Sequence, residues 1–147
     1  RAAPYTTGEV LDAVATLHPA IEVPDSRYER FNSVGAAQLI ADNACAHYFV
    51  LGAPAPEHWR GIDLVEHAVS AVVDGRTTRH GKGANVLGDP RVALTWLANE
   101  LSGLGITLEA GLVVTTGTCM TPLEVIAGDR VTADFGRLGK TEVRFGH

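Results

Sequence analysis

The sequence predicts an α+β fold: a β-rich, twisted mixed sheet with helices at its periphery. Three observations carry that expectation. One helix is strongly signalled, with Asp89 as N-cap, Pro90 at the first helical position and an apolar face of Val92, Ala93, Trp96, Leu97, Leu101 and Leu104 that Gly105 ends. Beyond it the chain reads as short strands over 112–116, 123–126, 130–135 and 141–145, separated by Ala127-Gly-Asp129 and Gly136-Arg-Leu-Gly139. Before it, Asp74-Gly75 supplies the positive φ of a two-residue hairpin turn between the apolar run 68–73 and the return over 76–79.

The remaining elements follow from punctuation. Thr7 caps a first helix whose apolar positions Val10, Leu11, Val14 and Leu17 recur at helical spacing, and Pro19 stops it before a short strand carrying Glu22. Ser33 starts a second short helix through Ala36, Leu39 and Ile40 that ends near Asp42-Asn43. Residues 48–51 read as a buried strand closed by Gly52 and two prolines. Trp96 is expected to pack the long helix onto the sheet, and Trp59 to fill a loop.

A chain of 147 residues is long enough for one domain with a real core, and no segment approaches the roughly 20 apolar residues of a membrane span. The net charge of −5, with basic residues scattered, excludes a nucleic-acid footprint. Cys45 and Cys119 lie far apart without a CxxC pair and read as free thiols in a reducing compartment, the cytoplasm. The sequence opens Arg1-Ala-Ala-Pro-Tyr5 with neither methionine nor a signal peptide, so the single domain 1–147 is expected to be truncated at its front.

Glu22 is the first candidate site residue. A carboxylate among Ala20, Ile21, Val23 and Pro24 needs a cation, either a metal ion or Arg27. Asp25 and Arg27 are candidates for substrate or proton-transfer roles, with a purely structural pair as the alternative. Asp42 is a further catalytic candidate, although Asp42-Asn43 also suits a helix end. Thr116, Gly117 and Thr118 present hydroxyl and backbone N–H groups to an anionic carboxylate, or simply end a strand. The run Gly81-Lys-Gly-Ala-Asn-Val-Leu-Gly88 lacks the GxxxxGK[ST] order of a phosphate loop, and the histidines at 18, 47, 58, 67, 80 and 147 show no zinc spacing.

Five stretches in order resemble the C-terminal part of the fumarylacetoacetate hydrolase superfamily, in its 2-keto-4-pentenoate hydratase and 4-oxalocrotonate decarboxylase branch. They are Pro19-Ala-Ile-Glu-Val-Pro-Asp-Ser-Arg-Tyr28, Ala41-Asp-Asn-Ala44, Gly83-Ala-Asn-Val-Leu-Gly-Asp-Pro90 with Trp96-Leu-Ala-Asn99, Val113-Val-Thr-Thr-Gly-Thr118, and the tail from Pro122 to Arg144. The resemblance implies a divalent cation, Mg or Mn, held by a Glu-x-Glu pair and a third carboxylate, which Glu22 matches. Glu at this place is similar to the hydratase and decarboxylase branch, whereas the carbon–carbon hydrolases place Asp there. No Glu-x-Glu occurs in these residues, and Cys45 stands where many members carry Ser. The implied activity is a lyase that hydrates 2-hydroxy-2,4-dienoates to 4-hydroxy-2-oxo acids in aromatic catabolism. The alternatives are a 4-oxalocrotonate-type decarboxylase or a non-catalytic fragment without its metal ligands. A small-molecule 2-oxo or 2-hydroxy-dienoate substrate and a homo-oligomer, with neither nucleic acid nor membrane as partner, complete the expectation.

Overall fold

The computed structural model describes residues 3–146; Arg1, where the expected truncation lies, and His147 fall outside them. Along the chain run α1 (Thr7–Asp12), β1 (Ala20–Val23), α2 (Ala36–Ala41), β2 (Tyr48–Leu51), β3 (Ala68–Val73), β4 (Thr77–Lys82), α3 (Pro90–Gly103), β5 (Arg130–Asp134) and β6 (Lys140–Arg144). The expected α+β class forms, as a four-stranded sheet in the order β4-β3-β5-β6 and a two-stranded sheet of β1 and β2, every described pair being antiparallel. None of the described helices is long and apolar enough to cross a membrane.

Alternation in β3 puts Val69, Ala71 and Val73 on one face, and the β3–β5 register sets Ala133 and Val131 beside Ala71 and Val73. All five are buried, Val73 completely. The other face is polar: Asp134 pairs with Lys140 at 2.7 Å, and the Thr132 hydroxyl donates to Glu142 at 3.3 Å. The β3–β4 hairpin forms where Asp74-Gly75 marks it, with three loop residues rather than two. Val73 faces Thr77, the Arg76 N–H donates to the Val73 carbonyl at 3.0 Å, and Gly75 has φ 72°.

The helices depart from expectation in instructive ways. The cap of α1 is Thr6, not Thr7, because Thr6 and Glu9 complete a capping box: the Glu9 N–H donates to the Thr6 hydroxyl and the Thr6 N–H to the Glu9 carboxylate. The helix stops at Asp12, yet Leu11, Val14 and Leu17 still pack on the buried cluster Trp59, Ile62, Leu64 and Leu138. Ser33 does not cap α2; its hydroxyl donates to the Arg30 carbonyl at 2.9 Å within a 3-10 turn, and Gly35 precedes the helix. In α3, Asp89 caps as expected, accepting from the Arg91 N–H at 2.8 Å. Trp96, however, is 60% exposed. The helix is turned so that Arg91, Leu94, Ala98 and Ser102 face a half-open cavity, while Thr95 bonds Thr7 and Asn99 clasps the Tyr5 backbone through both amide atoms. Those polar anchors set its rotation against α1 more firmly than the apolar stripe could.

β2 is not the buried strand expected: Tyr48, Phe49 and Leu51 are exposed, in a two-stranded sheet with β1. Residues 112–116 and 123–126 are not strands either, for want of a ladder partner. The stretch 119–124 instead runs beside β4, where the Lys82 N–H donates to the Cys119 carbonyl at 3.2 Å and the Arg76 guanidinium to the Glu124 carbonyl at 3.1 Å. Gly81 makes that approach possible, for a Cβ there would overlap the Cys119 carbonyl.

The open end of the β1–β2 pair is clamped by Asp42. Its buried carboxylate accepts from the Ser26 hydroxyl at 2.6 Å, from the Arg27 guanidinium at 2.8 Å and from the Arg27 N–H at 3.3 Å. Asn43, Ala44 and Cys45 follow with φ of 51°, 52° and 63°, a left-handed run that L-residues adopt only when their surroundings impose it. The Cys45 carbonyl then accepts from the Asp25 N–H at 2.9 Å, so the turn is tied to the 24–28 loop at two points. The Ser26 hydroxyl and the Arg27 guanidinium hold the Asp42 carboxyl below the usual carboxylate range.

Two outcomes follow. Gly81→Ala should cost about 1–3 kcal/mol in denaturant unfolding as the Cys119 carbonyl is pushed aside, whereas Gly103→Ala, with open space around it on α3, should be neutral or stabilising. Asp42→Asn should melt several degrees below the parent at neutral pH. A carboxyl whose pKa is depressed by folding adds stability above its unfolded pKa and loses it as pH falls through the folded value, so the gap between the two melting curves should close in acid below the ordinary carboxylate range.

Candidate functional site

Between the apolar face of the four-stranded sheet, α3 and the 106–125 segment lies a cavity of about 1060 Å³. β1 forms part of its rim. Alternation leaves Ile21 and Val23 half-buried and Glu22 exposed, with Phe49 opposite Glu22 in the ladder. Glu22 Oε1 accepts a hydrogen bond of 2.8 Å from the Thr115 hydroxyl, joining positions far apart in the chain. Arg27, the alternative partner expected for Glu22, is taken by Asp42 instead.

Thr116, Gly117 and Thr118 line the same cavity as Glu22. Gly117 sits at φ 125° with Val86 packed closely against it, a conformation that favours glycine. Asp25, Arg27 and Asp42 do not line this cavity and form their own group at the end of β1. Within that group Arg27 and Asp42 are spent on each other, while Asp25 is exposed and, among the described residues, engaged only through its backbone. Thr115 is the site residue that sequence reasoning missed. Its neighbours at 116–118 drew attention through Gly117, and nothing in the sequence distinguishes the Thr115 hydroxyl from that of Thr116.

The electrostatics of the wall are one-sided. Glu9, Glu22 and Glu109 line the cavity against a single described guanidinium, Arg91. Asp89 already neutralises it, accepting from Nε at 2.9 and 3.0 Å and pairing with Nη2 at 2.8 Å. This pairing lowers the Asp89 pKa and raises that of Arg91. Two histidines of the wall are tied to backbone carbonyls, His18 Nδ1 to Gly52 at 2.9 Å and His67 Nε2 to Phe135 at 2.6 Å. Cys119 also lines the cavity, and burial pushes its thiol pKa up, which disfavours the reactive thiolate.

A hard divalent cation needs about six oxygen donors. Among the described residues no three His, Cys, Asp or Glu side chains gather into a group that could hold one. Glu22 is therefore at most one donor of such a site, and these residues do not fit a complete metal centre by themselves.

The fumarylacetoacetate (FAA) hydrolase C-terminal family model matches residues 1–145. A 2-keto-4-pentenoate hydratase of Burkholderia vietnamiensis is 36% identical over 141 residues, which are 96% of this chain and 53% of the relative. A 4-oxalocrotonate decarboxylase of Pseudomonas putida is 33% identical over 138 residues, 94% of this chain and 52% of the relative. Among solved structures, the Pseudomonas putida G7 4-oxalocrotonate decarboxylase complexed with magnesium and adipate superposes with a TM-score of 0.86 at 33% identity, covering 99% of this chain and 55% of that one. The same enzyme complexed with calcium and acetate gives 0.81, over 95% and 51%. The chain thus spans about half the length of the curated relatives it matches. With sequence match and superposition both running through nearly all of it, this chain belongs to the fumarylacetoacetate hydrolase C-terminal family.

Proposed function

We propose that this chain is one part of a metal-dependent lyase that hydrates 2-hydroxy-2,4-dienoates, the enol form of 2-keto-4-pentenoate, to 4-hydroxy-2-oxo acids in aromatic catabolism. The observation that carries the reading is the Thr115–Glu22 hydrogen bond beside Thr116–Thr118 on the cavity wall, in a chain about a third identical to hydratases and decarboxylases. The wall itself asks for added positive charge. Its carboxylates outnumber its one paired guanidinium, and an anionic 2-oxo acid entering that field is repelled unless a cation answers it.

Mg or Mn suits carboxylate and hydroxyl donors, and relatives' structures complexed with magnesium or calcium support a divalent ion of that kind. Glu22 is the donor this chain contributes, with Thr115 fixing its rotamer; the other ligands come from residues outside these. The Thr116 and Thr118 hydroxyls and the Gly117 backbone take the substrate carboxylate, Gly117 permitting close approach. Asp25, Arg27 and Asp42 lie off the cavity wall, which supports the structural alternative for them: Arg27 with Asp42 holds the loop that follows β1. The free thiols Cys45 and Cys119 support a cytoplasmic setting, and exposed apolar residues such as Tyr48, Leu51 and Trp96 support a homo-oligomer. Decarboxylation of 4-oxalocrotonate is the second reading, favoured by the two decarboxylase structures on which the chain superposes.

The test uses a fusion that places these residues behind the half of a hydratase relative they do not match. The 147 residues alone should be silent on 2-hydroxypenta-2,4-dienoate, while the fusion consumes its absorbance and yields 4-hydroxy-2-oxopentanoate with Mg or Mn, and stops on addition of chelator. CO2 release from 4-oxalocrotonate without hydration would move the enzyme to the second reading, and metal-dependent turnover by the short chain would show the ligands misplaced. In the fusion, Glu22→Gln should lower kcat/KM by about 100-fold, with partial recovery at high metal and an unchanged circular dichroism spectrum, because an amide oxygen is a poorer donor than a carboxylate. Thr115→Val, which only frees the Glu22 rotamer, should weaken metal affinity by about tenfold.

A further inference from the structure

The glycine-rich run 81–88, which is no phosphate loop, carries the chain from β4 into a fixed turn beside the threonine segment. Gly83–Asn85 form a 3-10 turn. It is fastened next to the start of β3 by the Gly83 N–H on the His67 carbonyl at 3.1 Å and the Ala84 N–H on the Val65 carbonyl at 2.8 Å, and the Val86 N–H closes it on the Gly83 carbonyl at 2.9 Å. Val86 is buried, and its Cγ1 would stand 3.2 Å from a Cβ at Gly117. From this turn Asn85 donates through Nδ2 to the Cys119 carbonyl at 2.6 Å. An amide that faces a carbonyl must present its nitrogen, so the partner settles which way the Asn85 side chain is turned. The same carbonyl accepts from the Lys82 N–H at 3.2 Å, and two donors on one oxygen fix the orientation of its peptide plane.

Thr116, Gly117 and Thr118 therefore hang between two ties, the Thr115 hydroxyl on Glu22 before them and the Cys119 carbonyl after them, with Val86 packed beneath the glycine. The Thr116 and Thr118 hydroxyls make no hydrogen bond among the described residues and are free to meet a ligand. Groups that bind a ligand by direction need a rigid support, and Asn85 supplies the shorter of the two bonds at the second tie. We infer that Asn85 is a positioning residue: by fixing the Cys119 carbonyl, its amide sets the direction in which Thr116, Gly117 and Thr118 present their donors to the substrate carboxylate. The inference rests on the proposed function for the identity of that carboxylate, and adds the side chain that shapes the cradle without touching the substrate. Seating the 119–124 stretch on β4 is a task that the Lys82 N–H and the Arg76 guanidinium already perform, so the effect of Asn85 is local. Asn85 is itself exposed, and its truncation opens no cavity in the core.

Kinetics of Asn85 variants, in the fusion with the unmatched half of a hydratase relative, test the assignment. Asn85→Asp is isosteric but sets a carboxylate against the Cys119 carbonyl, Asn85→Ala removes the donor, and Asn85→Gln retains one. KM for 2-hydroxypenta-2,4-dienoate, or for 4-oxalocrotonate if that is what the fusion consumes, should rise about tenfold in Asn85→Asp and about fivefold in Asn85→Ala. The kcat and the Mg concentration for half-maximal rate should stay within about twofold of the parent, and Asn85→Gln should recover part of the loss. A bond that only stabilised the fold would lower the folded fraction, and with it the apparent kcat, at unchanged KM. That pattern overturns the proposal, as does an unchanged KM in a folded Asn85→Asp; should that variant not fold, Asn85→Ala decides in the same way. If the parent fusion consumes neither substrate, the proposed reaction has failed, and calorimetric titration with 2-oxopentanoate in the presence of Mg reads the cradle without turnover. Binding about tenfold weaker in Asn85→Asp than in the parent sustains the proposal. Equal binding, or none by the parent, overturns it.

Discussion

The hydrogen bond from Thr115 to Glu22 is the contact on which the candidate site depends, because it ties the rim strand β1 to a segment, 113–118, that makes no other hydrogen bond among the described residues. β1 belongs to a two-stranded sheet, which is marginal in isolation, and residues 113–118 have no ladder. A single charge-assisted bond therefore fixes where the carboxylate sits relative to Thr116–Thr118 and Gly117. Its geometry is inherited from two better-determined regions: the clamp of Asp42 on Ser26 and Arg27 at one end of β1, and the seating of 119–124 against β4 at the other end of the threonine segment.

These two anchors differ in kind. The β4 contact is steric: Gly81 lets a carbonyl lie where any side chain would stand, and the Arg76 guanidinium fastens the far end to Glu124. The Asp42 clamp is electrostatic and works against local preference, since three successive left-handed residues are held open by bonds to the 24–28 loop. Such strain persists only where neighbouring interactions over-determine it. Its location, one loop away from Glu22, fits a device that sets the exit direction of β1 more than it fits free acid–base chemistry at Asp42, whose oxygens are both engaged.

Elements whose signals are local were legible in the sequence. Asp89-Pro90, Asp74-Gly75 and the alternation of 68–73 each act through backbone dihedrals or period-two burial, and α3, the hairpin and β3 formed accordingly. What failed needed knowledge of partners. Residues 48–51 look like a core strand but lie exposed, and 112–116 look like a strand but lack a neighbour. Trp96 turned outward because Thr95 and Asn99 find hydrogen bonds on α1 and at Tyr5, which hydrophobic periodicity does not register. At the site, Glu22 and the threonine segment were recognisable by type, but the pairing of Arg27 with Asp42 and the choice of Thr115 over Thr116 are facts of side-chain direction.

The failures share a direction. Apolar residues of segments that the sequence reads as strands, Leu112, Val113, Phe49 and Leu51, are exposed, and they lie in the 112–116 segment and in β2 at the cavity rim. Side chains buried in one context and exposed in another leave the same apolar pattern in the sequence, so periodicity alone does not say which faces are covered. The carboxylates follow the same logic in charge rather than area. Glu22 and Glu109 face a wall whose single described guanidinium is already neutralised, so the field along it is negative.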